Sequence, residues 1–191
     1  SSSNLGEVYL ARDEADRALE ALEAAAASLD PKNPGEEGAI VYHNLGSVLK
    51  RMERLPEALA HFEKALQINL KGKRFEEAAS NYYMIASVLS KQGDYAQALN
   101  VLEKALYYDR LMERSLGIAK DLFALGVLHE KVGDPQAALE HYRKSLQIYR
   151  SLSLNAETAR LLPPLITLAE RVGLREEAES YRRLASELKG E

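Results

Sequence analysis

The chain has 191 residues, 46% of them hydrophobic and 28% charged, with a formal net charge of −4 and no cysteine. That composition belongs to a globular protein rather than a disordered one, and it excludes a disulfide framework, a thiolate metal site and a cysteine nucleophile. Mild acidity without a basic cluster argues against nucleic acid or a membrane surface as partner, and no apolar run nears the ~18 residues that span a bilayer. The compartment stays open, with a soluble, cytoplasmic protein favoured.

Residues 1–34 begin mid-pattern. Asn4-Leu5-Gly6 has only Ser1 to Ser3 before it, so a short helix over 4–12 is predicted. An alanine-rich partner runs from about Glu14 to Ser28 and ends before Asp30-Pro31. Apolar surface around Leu5, Tyr9, Leu19 and Leu22 is then poorly covered, which predicts contact with another chain through this uncapped repeat. Asn33-Pro34 reads as an N-cap with proline at the first helical position, followed by Glu36 and Glu37 at the positive helix end.

From Ala39 the pattern becomes regular. Tyr42, Leu45, Gly46 and Leu49 fall at i, i+3, i+4 and i+7, one face of a helix. A break at Met52–Leu55 and Pro56 precede a second apolar face of Ala58, Leu59, Phe62, Ala65, Leu66 and Asn69. Gly46 and Ala58 are small because two helix axes approach closely there. The skeleton then recurs at intervals of forty: Ala18, Ala58, Ala98, Ala138, Ala178; Leu5, Leu45, Ile85, Leu125, Leu165; Gly6, Gly46, Ala86, Gly126. Gly93-Asp94 and Gly133-Asp134 mark the break in later repeats, a helix stop followed by a cap. Each repeat is therefore a helical hairpin. Helices are predicted at roughly 35–52, 56–71, 74–91, 95–111, 116–132, 135–151, 156–172 and 175–189, with Ser115 as an N-cap. Pro163-Pro164 falls inside one of them and predicts a kink. In the last helix Arg182 occupies the slot of Phe62, Leu102 and Tyr142, a polar choice that fits a terminal repeat. A natural C-terminus and a cut N-terminus are expected.

The pattern aromatic-x₂-Leu-Gly-x₂-large followed by Ala-x₃-aromatic resembles the tetratricopeptide repeat (TPR) signature. Tyr42, Leu45, Gly46, Leu49, Ala58 and Phe62 match it directly; Leu122, Leu125, Gly126, His129, Ala138 and Tyr142 match with two substitutions. The forty-residue period is similar to that of Leu-Gly-Asn repeat adaptors, kinesin light chains and bacterial TPR regulators. The resemblance implies an all-α fold, an α-solenoid in which antiparallel helix hairpins wind as a right-handed superhelix. One array over residues 1–191 is expected, with repeats at about 1–34 (incomplete), 35–74, 75–114, 115–154 and 155–191.

Chemistry for catalysis is absent from the pattern. No Gly-rich phosphate loop, Ser/His/Asp set or His-Glu-x-x-His occurs. His61 and His141 share a repeat position two repeats apart, on the order of 40 Å at helix spacings near 10 Å, and cannot share a metal; His129 reads as a packed core histidine. Glu36-Glu37 and Glu76-Glu77 lie at helix starts, where acids are electrostatically favoured. Arg51, Lys91, Lys131 and Arg171 end first helices, where cations complement the dipole; capture of an acidic ligand is the alternative. No enzyme activity and no metal or other cofactor is expected.

The expected function is protein–protein interaction. In TPR arrays the concave groove is lined by the first helix of each hairpin, which here presents His43, Asn44, Ser47 and Lys50, then Tyr83, Met84 and Ser87, then Phe123, Val127 and Lys131. A protein or peptide segment bound there, with Tyr83 and Phe123 as aromatic anchors, is the primary expectation. The stripe does not reproduce the Lys/Asn carboxylate clamp of chaperone-binding TPR domains. The alternative is a structural spacer or self-association scaffold within a larger protein.

Overall fold

The structure is a computed structural model that describes the backbone of residues 2–188 and the side chains of 14–188. The described residues form helices and short connections: α1 (Ser2–Ser28), α2 (Gly35–Arg51), α3 (Leu55–Lys71), α4 (Phe75–Lys91), α5 (Tyr95–Leu111), α6 (Ser115–Lys131), α7 (Pro135–Ser151), α8 (Asn155–Arg171) and α9 (Arg175–Glu187).

From α2 to α8 every helix has 17 residues and is followed by a three-residue turn. The turns share one backbone form. Positive φ recurs at Glu53, Lys73, Gly93, Glu113, Gly133, Ser153 and Gly173, between +55° and +85°. Around Glu53 its N–H donates to Lys50 O at 3.1 Å, and Arg54 N–H donates to Leu49 O at 2.9 Å. This pair of bonds is the Schellman arrangement, and it repeats at each of the seven turns. The forty-residue period in side chains thus rests on a backbone period half as long.

Four expectations are corrected. Asn33 does not cap α2: Pro34 holds that position and no side chain caps the helix. The first segment is one helix of 27 residues rather than two. No glycine or proline interrupts Glu7–Asp30, and the run is rich in the strong helix formers Ala, Glu, Leu and Arg. Leu19 is buried and Leu22 half-buried, so this stretch is better covered than expected; the side chains of Leu5 and Tyr9 lie outside the described residues. Ser115 is not a cap: Arg114 holds that position and no side chain caps α6.

Pro163 and Pro164 sit inside α8, which runs through them without a break. Proline at these positions leaves the carbonyls of Ala159 and Arg160 without their helical donors. Both residues are exposed, so water can take that place. Arg182 is exposed as expected of a polar terminal face, and it pairs with Glu170 and Glu179.

The chain divides into two compact units, residues 1–101 and 102–191, with the boundary inside α5. In unit 1, α1 packs on α2, α2 on α3 and α3 on α4; in unit 2, α6 packs on α7, α7 on α8 and α8 on α9. Unit 1 explains its glycine directly. A Cβ on Gly46 would stand 2.8 Å from the Phe62 ring, and Phe62 is fully buried. In unit 2, Gly126 lies under the Tyr142 ring in the same way. The small residue makes room for the second helix's aromatic ring within its own hairpin. Leu161, Leu162, Leu165 and Leu168 close the core of unit 2.

Gly46→Leu must displace the Phe62 ring and is expected to cost about 1–3 kcal/mol. Ser47→Leu, at a half-buried neighbour, should cost much less. Urea melts of the two variants check this; equal midpoints would contradict the assignment.

Candidate functional site

A cleft of about 210 Å³ opens in unit 1 between the N-terminal halves of α2 and α4. Glu36, Ala39, Ile40, His43 and Asn44 come from α2; Glu77, Ser80 and Asn81 from α4; Asn69 from α3; and Arg74 from the turn between α3 and α4. The side chains separate into a buried floor and an exposed rim. Asn69 and Asn81 are 3% and 0% exposed, whereas Glu36, Ile40, Asn44, Glu77 and Ser80 are exposed.

The floor is a chain of hydrogen bonds. Arg74 Nε donates to Asn69 Oδ1 at 3.0 Å. Asn69 Nδ2 donates to Asn81 Oδ1 at 2.8 Å, and Asn81 Nδ2 reaches His43 Nδ1 at 2.9 Å. An amide N–H₂ can only donate, so His43 Nδ1 accepts and its proton sits on Nε2. Burial lowers the His43 pKa, which agrees with a neutral ring. The ring also packs edge-on against Phe62, with centroids 5.5 Å apart.

The groove residues predicted from the sequence fare differently. His43 and Asn44 line the cleft. Ser47 donates its hydroxyl to His43 O at 3.0 Å, and Lys50 Nζ donates to Ser87 Oγ at 2.6 Å. Burial, then the neighbouring Lys91, lowers the Lys50 pKa, with Glu53 acting in the opposite direction. Tyr83 and Met84 are half-buried on α4. Phe123, Val127 and Lys131 belong to unit 2. There Phe123 lies on the Tyr142 ring at 5.5 Å, and both Phe123 and Val127 pack against the core. Lys131 is exposed at the end of α6. His43 and Phe123, in the same slot two repeats apart, each rest on the second-helix ring of their own hairpin, Phe62 and Tyr142.

Asn69, Arg74 and Asn81 were missed as site residues. Asn69 had been placed on an apolar face, where an asparagine is itself the signal: a buried amide needs partners. Forty residues on, Asp109, Arg114 and Asp121 stand in the same register.

The lowered His43 pKa fixes a sign. The unfolded chain takes up this proton near pH 6.5 and the folded chain takes it up lower, so the stability is present above 6.5 and is lost as pH falls. His43→Asn keeps an acceptor for Asn81 and should flatten part of the acid limb below about pH 6.5, measured by urea unfolding; an unchanged limb would count against the assignment.

RapI in its apo form superposes with a TM-score of 0.82 at 18% identity, covering 93% of this chain and 49% of RapI. A Rap protein complexed with competence and sporulation factor gives 0.74 at 16% identity, covering 97% and 52%. Nearly identical TPR-like repeats of a kinesin light chain from Podosopora anserina give 0.74 at 19% identity, covering 97% and 92%. The chain spans about half the length of the two Rap proteins, and at these identities the likeness is one of fold, an α-solenoid of helix hairpins. No curated protein matches the chain in sequence. The family model of the tetratricopeptide repeat matches residues 1–71, 37–106 and 76–151, so the chain belongs to the tetratricopeptide-repeat family.

Proposed function

We propose that this protein-interaction module takes an extended peptide segment in the cleft between α2 and α4, with a basic side chain held between Glu36 and Glu77. The observation that carries the reading is the split between floor and rim. The floor amides satisfy one another and hold His43 in one tautomer, so its Nε2–H is a fixed donor. The rim offers Asn44 and Ser80, whose amide and hydroxyl can both donate and accept, as peptide backbone recognition requires. Glu36 and Glu77 have no ion-pair partner among the described residues and line the same small cleft. Ile40, 54% exposed, adds an apolar wall. A Rap protein of the same fold is known in complex with competence and sporulation factor, which supports reading the fold as one that captures a partner. The rest of the unit 1 stripe, Ser47, Lys50, Tyr83, Met84 and Ser87, extends the proposed surface along α2 and α4. Phe123 and Val127 hold the positions of Tyr83 and Ser87 on α6 and, with Lys131 at its end, are proposed as secondary contacts. Nothing in this reading requires catalysis or a cofactor.

A positional-scanning library of fluorescein-labelled pentapeptides, read by anisotropy, is expected to select Arg or Lys at one position. Hydrogen bonds to charged groups contribute about 1.5–3 kcal/mol and neutral ones about 0.5–1.5, so Glu77→Lys should weaken the selected peptide about tenfold or more and Asn44→Ala by a few-fold. Absence of any bound peptide, or an affinity unchanged from the wild type in both variants, would refute the reading.

One observation favours the scaffold alternative. In unit 2, Tyr107 is 62% and Leu111 53% exposed, one turn apart on α5, with Leu116 42% exposed at the start of α6. Such a patch suits self-association. Sedimentation should then show a concentration-dependent dimer that Leu111→Lys abolishes; a monomer at every concentration removes this alternative.

A further inference from the structure

The floor of the unit 1 cleft has a counterpart with different chemistry. Asn69, Arg74 and Asn81 recur forty residues on as Asp109, Arg114 and Asp121. In unit 1 the two amides are complementary, one donating to the other at 2.8 Å. Two ionised carboxylates in the same arrangement would have acceptors alone. Asp109 and Asp121 are nevertheless buried, 5% and 2% exposed. We propose that they share a single proton in the folded protein, and that this proton is a latch that ties α5 to α6 and releases them when it leaves.

The surroundings decide which carboxyl is neutral. Arg114 Nη1 donates to Asp109 Oδ1 at 3.1 Å. Asp109 also lies against Gly117 in the first turn of α6, so closely that a Cβ there would collide with its carboxylate. The guanidinium and the positive end of the helix both favour charge on Asp109. Asp121 has no such support: its Oδ2 has no hydrogen-bond partner in the structure, while its carboxyl bonds to Asp109. Burial, then the Asp109 charge, pushes the Asp121 carboxyl up to about 8, with Arg114 opposing and Glu103 of α5 adding to the rise. On the other side of α6, Glu140, Arg143 and Lys144 of α7 are engaged elsewhere, and Arg150 is exposed in its last turn. Tyr142 donates to Glu130, Arg143 to Glu177 and Lys144 to Glu140, and His141 stacks on His129. When the proton passes to solvent, two adjacent buried carboxylates face one guanidinium, and the closure between α5 and α6 carries an uncompensated charge.

The sign runs opposite to that of His43. The folded chain keeps a proton that the unfolded chain gives up near pH 3.8. The stability it supplies is therefore full below about pH 4, is lost as pH rises to about 8, and stays constant beyond.

The test uses the full chain, labelled with ¹³C, and follows side-chain carboxyl shifts from pH 5 to 9. One carboxyl is expected to titrate near pH 8 and to be missing in Asp121→Asn. That variant is expected to fold, since Asn81 already occupies the same place one repeat earlier. In Asp109→Asn the raised carboxyl should move toward the ordinary range. The urea unfolding constant should rise with pH between 5 and 8 in the wild type, by up to about tenfold per unit for one proton, and less steeply in Asp121→Asn. Tryptic cleavage after Arg110 and Arg114, corrected against an unfolded substrate, should increase from pH 6 to 8 in the wild type alone and level off above that. If every carboxyl titrates below pH 6, or the high one persists in Asp121→Asn, the shared proton is refuted. If the carboxyl titrates near 8 but cleavage does not change, the latch is refuted.

Discussion

A helix leaves its last carbonyls without amide partners, and the chain meets that need the same way seven times. One residue turns left-handed, two N–H groups fold back onto the final turn, and the next helix begins. Four of the seven left-handed residues are not glycine: Glu53, Lys73, Glu113 and Ser153 hold a backbone conformation that costs an L-residue roughly 1–2 kcal/mol. The Schellman bonds and the packing of the helices on either side hold them there. Because the turn is invariant, each helix starts at a fixed phase, and every buried position follows from that phase. Gly46 meets Phe62 and Gly126 meets Tyr142 for this reason.

The same frame accepts different chemistry at its polar positions. At 69 and 81 it holds two amides; at 109 and 121 it holds two acids, each pair beside an arginine at the third turn residue. Amides can be satisfied by each other and by His43 Nδ1. Acids cannot, and the difference must be made up by a proton and a guanidinium. One backbone geometry therefore gives a pair in unit 1 whose own side chains do not titrate and a pair in unit 2 whose side chains do.

Much of the fold was legible in the sequence because the apolar ladders and small residues are local in register. Ala58, Leu45 and Gly46 identify the hairpin; that the Phe62 ring sits over Gly46 of its own hairpin came from the structure. The long α1 was not legible, because the Asn4-Leu5-Gly6 fragment suggested a hairpin where no turn chemistry follows. Two of the predicted groove residues, His43 and Asn44, line the cleft. The floor was hidden for a physical reason: Asn69 and Asn81 occupy apolar-face positions, and periodicity counts position without asking what a buried amide must bond. What each groove ring rests on was not legible either, because helix phase tells which stripe a ring lies on and not what it packs against, as Phe123 on Tyr142 shows.

The backbone repeats with every helix and turn, whereas the side chains repeat with every second one. A gene could therefore gain or lose a segment coding for two helices and keep both frames in step. A gain of one helix would preserve the turns yet place a glycine-bearing helix where a ring-bearing helix belongs, so that Gly46-like surfaces would meet each other and leave a void. Lengthening of such an array is thus confined to even steps, and α1, with 27 residues and its own six-residue connection to α2, stands outside that arithmetic.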